Sequence, residues 1–374
     1  MSKVLFAEQL RGLAALLVVA SHLYNVYPIG QTVVAPFIAA PPLEIVTPWL
    51  VRVIGGLPIN LGPFGVGVFF LVSGFVIPFS LRRHGRFTFL LARGLRIYPT
   101  YWGALGIGAA CVWASARYWG LPVPFGWSAL RSNALLVHTL KHVPTLDLVN
   151  WTLVVELHFY LFAALARPWI LRGTWWPMLA AAAGAIGYRA AQAVGLMPQP
   201  SFLEIEAMSL PYMLIGTAFH HHFTGAWSLS RLGVVATALA AVSLVLMATS
   251  GAMGGNGIVQ VSYAAALVTF GAAYAARRWT VDLAVLRWLA RISFPLYAVH
   301  VLAGFTLMTW LIAGPWSLSY TLASIVALVV LLLLAWLLHY AVERWSIAAG
   351  SRLARLSTAV PAGRAAGPPG RSSA

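Results

Sequence analysis

The stretch "RGLAALLVVASHLY", Arg11 to Tyr24, sets a guanidinium and an imidazole near the ends of an otherwise apolar run. On a helix the step from Arg11 to His22 sums to about 20° beyond three turns, so the two share a face roughly 16 Å apart. In a membrane Arg11 then sits at the edge and His22 near mid-depth, with Ala14, Ala15, Val18 and Val19 between them, small enough to line a narrow slot. A cation at the edge and a base at depth suit chemistry in which an anionic carrier is held at the surface while its reactive end reaches the imidazole. Taken singly, each has a plainer reading. An edge arginine snorkels to lipid phosphate, and a buried histidine hydrogen-bonds a neighbouring helix.

A second basic set follows in "RRHGRFTFLLARGLRIYPTYW", where Arg93 and Arg96 are three apart on one helix face. Such a pair suits bidentate contact with phosphate. Anchoring to anionic lipid accounts for Arg82, Arg83 and Arg86, but less well for a pair that enters a span. Of the eight acids in the chain, Glu156 in "NWTLVVELHFYL" is the one most clearly inside an apolar run. Thr152, Glu156 and Tyr160 recur at i, i+4 and i+8 and share a face, with Trp151 beside them. Glu156 is either half of a structural pair or part of the chemistry. Ser73 lies among Gly65, Gly67 and Gly74, a pattern of close helix packing, with no base or acid adjacent in sequence. His300, in "RISFPLYAVH", reaches a depth comparable to His22 and either lines the same cavity or packs in the core. His220, His221 and His222 point about 100° apart in succession, a poor metal site, and no metal is expected. The lone Cys111 excludes an intramolecular disulfide and a cysteine-based metal site.

The elements that must position these residues are helices in a bilayer. With 60% hydrophobic and 9% charged residues and a mean hydropathy of +0.83, the chain lies outside the range of soluble domains. Apolar windows predict an all-α integral membrane protein with about ten transmembrane helices: 9–28, 64–81, 97–116, 151–166, 174–194, 203–222, 229–250, 258–276, 290–312 and 317–340. The formal charge of +16 comes from short clusters between these runs, a positive-inside pattern rather than a nucleic-acid surface. With both termini cytoplasmic, Lys and Arg divide 19 inside to 5 outside. The first run reads as an uncleaved span, because it continues past Ser21 and His22 and no soluble segment follows. The connections 29–63 and 117–150 fall outside in this arrangement, the latter with "WSALRSNALLVHTL" as a candidate interfacial helix. Residues 1–345 form the transmembrane domain and 346–374 a basic, disordered cytoplasmic tail.

Five stretches together resemble the acyltransferase-3 family of integral membrane acyltransferases. They are "LRGLAALLVVASHLY", "VGVFFLVSGFVI", "RGLRIYPTYW", "NWTLVVELHFYL" and "ISFPLYAVH", which occur in the family's order across most of the chain. The family includes bacterial O-acetyltransferases of O-antigen, exopolysaccharide and nodulation glycolipids, and acylases of macrolide antibiotics. The resemblance implies a ten-helix enzyme of the bacterial inner membrane that moves an acyl group, acetyl by family frequency, from cytoplasmic acyl-CoA to a hydroxyl of a glycan or lipid-linked sugar. It implies acyl-CoA as co-substrate, no permanently bound cofactor, and polysaccharide-assembly proteins as possible partners. The family's first-span arginine and histidine match Arg11 and His22, its Arg-x-x-Arg element matches Arg93 and Arg96, and its glutamate matches Glu156. The chain departs mildly at Glu8, where Asp is usual, and at Thr152, where Ser is commoner. Some members carry a fused extracytoplasmic hydrolase-like domain; without one, the transmembrane body completes the transfer alone or with a partner.

The mechanism expected from these residues has Arg93, Arg96 and Arg11 holding the CoA phosphates and the pantetheine arm following the small-residue face to His22. The imidazole is then general base on the acceptor or carries the acyl group itself. Glu156 orients the imidazole, binds sugar hydroxyls or takes the proton. A transporter or flippase of lipid-linked sugars would use Glu156, His22 and His300 as a path and need no acyl-CoA. A sensor or assembly protein would tolerate loss of His22.

Overall fold

The computed structural model describes residues 4–46, 48–197, 202–251 and 257–358, and every regular element among them is a helix. The thirteen helices that bear on the site are α1 (Leu5–Ser21), α2 (Leu61–Arg83), α3 (Arg86–Trp119), α4 (Trp127–Ala134), α5 (Trp151–Leu165), α6 (Trp176–Ala193), α7 (Phe202–Phe223), α8 (Leu229–Ala248), α9 (Ile258–Ala275), α10 (Ala284–Val299), α11 (Leu302–Ala313), α12 (Tyr320–Leu338) and α13 (Arg344–Thr358). Each of the ten expected segments falls on one or two of these helices. Among the described residues five helical runs, Leu5–Ile29, Leu61–Arg83, Leu229–Ala248, Ile258–Arg278 and Tyr320–Leu353, are long and apolar enough to cross a membrane, six if the bent pair α10 and α11 is one span. The remainder fall short for visible reasons. Helix α5 has only 15 residues, and the charge-free stretch of α3, 97–116, is diluted by Pro99, Thr100, Gly103, Gly106 and Gly108.

Helix α2 is the centre of the bundle, packed by α1, α5, α7 and α9. Its composition suits that place, since glycine on several sides lets neighbouring backbones approach. A Cβ added at Gly65 would meet Val18 and the Ala14 carbonyl of α1, and one at Gly67 would meet Ala266 and the Tyr212 hydroxyl. Where α2 crosses α7 the fit is closest, with Gly74 against the Met213 carbonyl and Gly216 against the Leu71 carbonyl. Backbone on both sides leaves no flexible side chain to give way. Gly74→Ala and Gly216→Ala are therefore expected to cost more than about 3 kcal/mol and to abolish a monodisperse size-exclusion peak in detergent. Gly184→Ala, whose Cβ meets nothing within 4 Å, is expected to run as the wild type.

The outer surface is apolar where lipid would lie. On α12, Leu322, Ile325, Val329 and Leu333 form one exposed stripe, while Ala323, Ala327, Leu331 and Ala335 on the other side are buried. The fold departs from the sequence reading at three places. The segment expected as one span over 290–312 breaks at His300 and Val301, and α10 and α11 meet there at 74°. Helix α13 extends to Thr358 against α3, with Gly350 close to Ala92, so the segment from 346 begins as packed helix rather than disordered tail; residues 359–374 lie outside the described residues. The interfacial candidate is an eight-residue helix, α4, ending at Ala134 and followed by turns.

Candidate functional site

Two chambers open between α1, α2, α5 and α10. The first is bounded by Arg11 from α1, Arg93 and Arg96 from α3, Ser73 from α2, and Glu156 and Tyr160 from α5, and encloses about 780 Å³ of empty space including its mouth. Three guanidiniums against one carboxylate leave this arginine chamber strongly cationic. Each arginine is held differently. Arg11 donates from Nη2 to the Ala290 carbonyl at 2.8 Å. The Arg93 guanidinium carbon lies 5.6 Å from the centroids of both the Phe89 and the Tyr160 rings, within cation–π range of each. The Nε atoms of Arg11 and Arg93 are buried without a hydrogen-bond acceptor. A buried donor left unpaired costs about 1–3 kcal/mol, so the chamber favours an anionic guest that accepts from it.

Glu156 sits on the opposite wall, accepting from the Tyr160 hydroxyl and from Ser73 Oγ, the latter at 3.4 Å. The i, i+4 spacing of Glu156 and Tyr160 on α5 produces the first contact. No hydrogen bond among the described residues joins Glu156 to His22. Glu156 lines the chamber of the arginines and not that of His22, so of the three roles considered for it, orienting the imidazole has no direct contact in its favour.

His22 lines a second chamber, with Ser21, Asn60, Trp151 and Tyr263, that holds about 640 Å³ of empty space including its mouth. Here α1 changes from α-helical to π-helical geometry, over His22–Val26. Such a turn inserts one residue into the helix register, and it is common at functional sites. His22 Nδ1 lies 2.9 Å from the Val18 carbonyl, which can only accept. Nδ1 thus carries the proton of the neutral ring, and the lone pair is on Nε2. Asn60, the N-cap of α2, accepts from Ser21 Oγ at 2.9 Å and from the Gly62 amide at 3.0 Å, giving this chamber a polar end.

His300 lines neither chamber. It is fully buried at the bend between α10 and α11, its ring edge-on to His22 with centroids 4.8 Å apart. Its Nδ1 donates to the Tyr297 carbonyl at 2.8 Å. Glu8 lies one turn before Arg11, partly buried and outside both chambers. His220 and His222 diverge, the first to the Phe75 carbonyl and the second to the Tyr274 hydroxyl. Among the described residues no group of three His, Cys, Asp or Glu could hold a metal ion.

Of the residues expected to line a slot along α1, Val18 lines the histidine chamber, whereas Ala14, Ala15 and Val19 line neither chamber. Ala14, Ala15, Val18 and Val19 are buried, and Gly12 meets the backbone of α10 at Ala290 and Leu286, so α1 is clasped between α2 and α10. The chambers meet elsewhere, at two residues that line both, Val66 of α2 and Tyr297 of α10. Neither was singled out from the sequence, although both lie within the quoted stretches "VGVFFLVSGFVI" and "ISFPLYAVH". Tyr297 is pinned to the start of α5, its hydroxyl 2.7 Å from Thr152 Oγ1 and 3.2 Å from the Val149 carbonyl. Thr152 Oγ1 also lies 2.8 Å from that carbonyl, closing a triangle. The loop before α5 is fixed in turn. Asn150 donates to Asn133 Oδ1 at 2.9 Å, and burial pushes the Asp147 carboxyl up to about 7.

A multi-pass helical membrane protein with a cationic chamber adjoining an imidazole-lined one is the class that this fold and site define. The chain belongs to the acyltransferase-3 family, whose model, described as an acyltransferase domain, matches residues 4–340. Over 136 residues, 34% of the chain, it is 32% identical to Acyltransferase MdmB of Streptomyces mycarofaciens, and the match spans about a third of that relative, 35% of its length. No solved structure matches the chain.

Proposed function

We propose that the protein is an O-acyltransferase of the bacterial inner membrane. It takes a short acyl group, acetyl foremost, from cytoplasmic acyl-CoA to a hydroxyl of a glycan or lipid-linked sugar such as an exopolysaccharide or O-antigen unit. A macrolide-type metabolite is the alternative acceptor. The observation that carries this reading is the adjacency of the chambers, one suited to the CoA phosphates and the other to a hydroxyl beside a base. In this arrangement the ten helical segments cross the bilayer with both termini in the cytoplasm, and the arginine chamber opens on the donor side.

The residues support the following chemistry. Arg11, Arg93 and Arg96 hold phosphate oxygens, and the thioester extends toward His22. The Nε2 lone pair takes the proton of the acceptor hydroxyl as its oxygen attacks the thioester carbonyl. The tetrahedral intermediate collapses, the C–S bond breaks, and the imidazolium returns its proton to the departing sulfur. Products are an ester and free CoA thiol. Glu156 tightens the donor side by holding Tyr160 under the Arg93 guanidinium.

Membranes containing the full chain, given acetyl-CoA labelled in the acetyl group, are expected to transfer label to an endogenous glycan or lipid fraction and to release CoA in step. Acceptor translocation that proceeds at full rate without acyl-CoA, and no label transfer, would overturn the reading in favour of a transporter. Family membership leaves that alternative without a supporting observation.

A further inference from the structure

We propose that Val66 and Tyr297 form a gate between the two chambers, latched by the hydrogen bonds of Tyr297 to Thr152 and Val149, and that this gate sets the largest acyl group that can reach His22. The inference rests on the acyltransferase reading above and names the residues that determine donor specificity within it.

The geometry restricts where an acyl group can pass. Along α1, Ala14, Ala15 and Val19 are buried and line neither chamber, and Val18 lines the histidine chamber alone. The side chains common to both chambers are those of Val66 and Tyr297, on facing helices. Both are nearly buried, and each borders the empty space of both chambers. Tyr297 is held at three points. Phe69 meets its ring edge-on with centroids 5.6 Å apart, its hydroxyl joins the Thr152–Val149 triangle, and its carbonyl accepts from His300. Since His300 packs on His22, the gate and the base are parts of one contact chain. The N-terminus of α5 straddles the wall, with Trp151 facing the histidine chamber and Thr152 the arginine chamber.

A valine and a hydrogen-bonded tyrosine make a gate with two separable properties. Valine sets the width, because removing its methyl groups enlarges the passage with no polar group disturbed. The latch sets how firmly the ring holds that width. Thr152 is then a positioning residue acting through Tyr297. A serine there keeps the hydroxyl and the whole latch, whereas valine keeps the shape and weakens the latch to the one bond from the Tyr297 hydroxyl to the Val149 carbonyl. A threonine serving only to pack α5 would show the opposite pattern.

The test measures CoA release from acetyl-, butanoyl- and hexanoyl-CoA by the full-length protein in its native membranes, beside binding of labelled acetyl-CoA. Val66→Ala is expected to raise the hexanoyl-to-acetyl ratio of kcat/KM by about tenfold or more, in line with discrimination among chain lengths by apolar walls. Tyr297→Phe and Thr152→Val are expected to shift the same ratio in the same direction by a smaller factor. Thr152→Ser is expected to retain the wild-type ratio, and acetyl-CoA binding is expected to stay within about threefold throughout, because the arginines are untouched. If Val66→Ala fails to fold, Tyr297→Phe and Thr152→Val decide. Intact donor binding with wild-type acyl preference in the folded variants overturns the gate and leaves the acyltransferase reading standing. A wild-type protein that neither binds nor cleaves acetyl-CoA overturns that reading, and the gate falls with it.

Discussion

His22→Ala is expected to lower acyl transfer by roughly 10²- to 10⁴-fold, the usual contribution of a general base, while leaving acetyl-CoA binding nearly unchanged. The separation follows from the chambers. His22 lines the one that contains none of the three arginines, so truncating it removes a base without removing a phosphate contact. The tautomer sharpens the expectation. With Nδ1–H held by the Val18 carbonyl, Nε2 alone is available to take the proton. His22→Gln, which can hydrogen-bond but not accept a proton at neutral pH, is expected to fail as His22→Ala does. A histidine that served only to pack against His300 would behave otherwise: binding and transfer would fall together, and glutamine would restore part of both. Steady-state transfer and equilibrium binding of acetyl-CoA, measured on the same membranes, distinguish the two.

Helix positions were largely legible in the sequence, because apolar length and polar breaks report them locally. Each expected segment falls on helix, even where shortness or modest hydropathy leaves that helix less suited to cross a membrane alone. What periodicity could not report was how faces are used. Arg11 and His22 were placed on one face of an ideal helix, and the small residues between them read as a slot. Ala14, Ala15 and Val19 are instead buried in a helix packed closely on α2 and α10, and only Val18 borders a void, because small residues serve close approach as readily as they line one. Likewise the i, i+4 step correctly joins Glu156 to Tyr160, a contact within one helix, but nothing in sequence states which neighbouring helix Glu156 faces. The π-helical turn at His22 and the bend at His300 also lack a local signal strong enough to read. Pro295 lies five residues before the bend, and the break itself depends on the packing of α11 against α3 and α12. Tyr297 and Val66 were therefore invisible as a pair. They become adjacent only in three dimensions, although each stood in a stretch already noted.

The second large effect concerns Arg93. Replacing it by glutamine is expected to raise KM for acetyl-CoA by about 10- to 100-fold, corresponding to loss of one charge-assisted phosphate contact, with a smaller change in kcat. The lysine variant is the more informative. The flat guanidinium packs beside the Phe89 and Tyr160 rings, which meet each other edge-on, and its Nε is an unpaired donor; an ammonium offers neither the plane nor the fork. Arg93→Lys is thus expected to resemble Arg93→Gln in KM rather than the wild type, and its KM to rise more steeply with salt, since the remaining attraction is that of a partly screened point charge. Were Arg93 merely one of the positive-inside anchors, lysine would substitute fully, as it does wherever only charge at the membrane surface is required. Tyr160→Phe adds the last link. It leaves the ring beneath the guanidinium but frees Glu156, so a KM that stays low would show that the ring plane positions Arg93, and a KM that rises would assign that task to the hydroxyl's hold on the carboxylate.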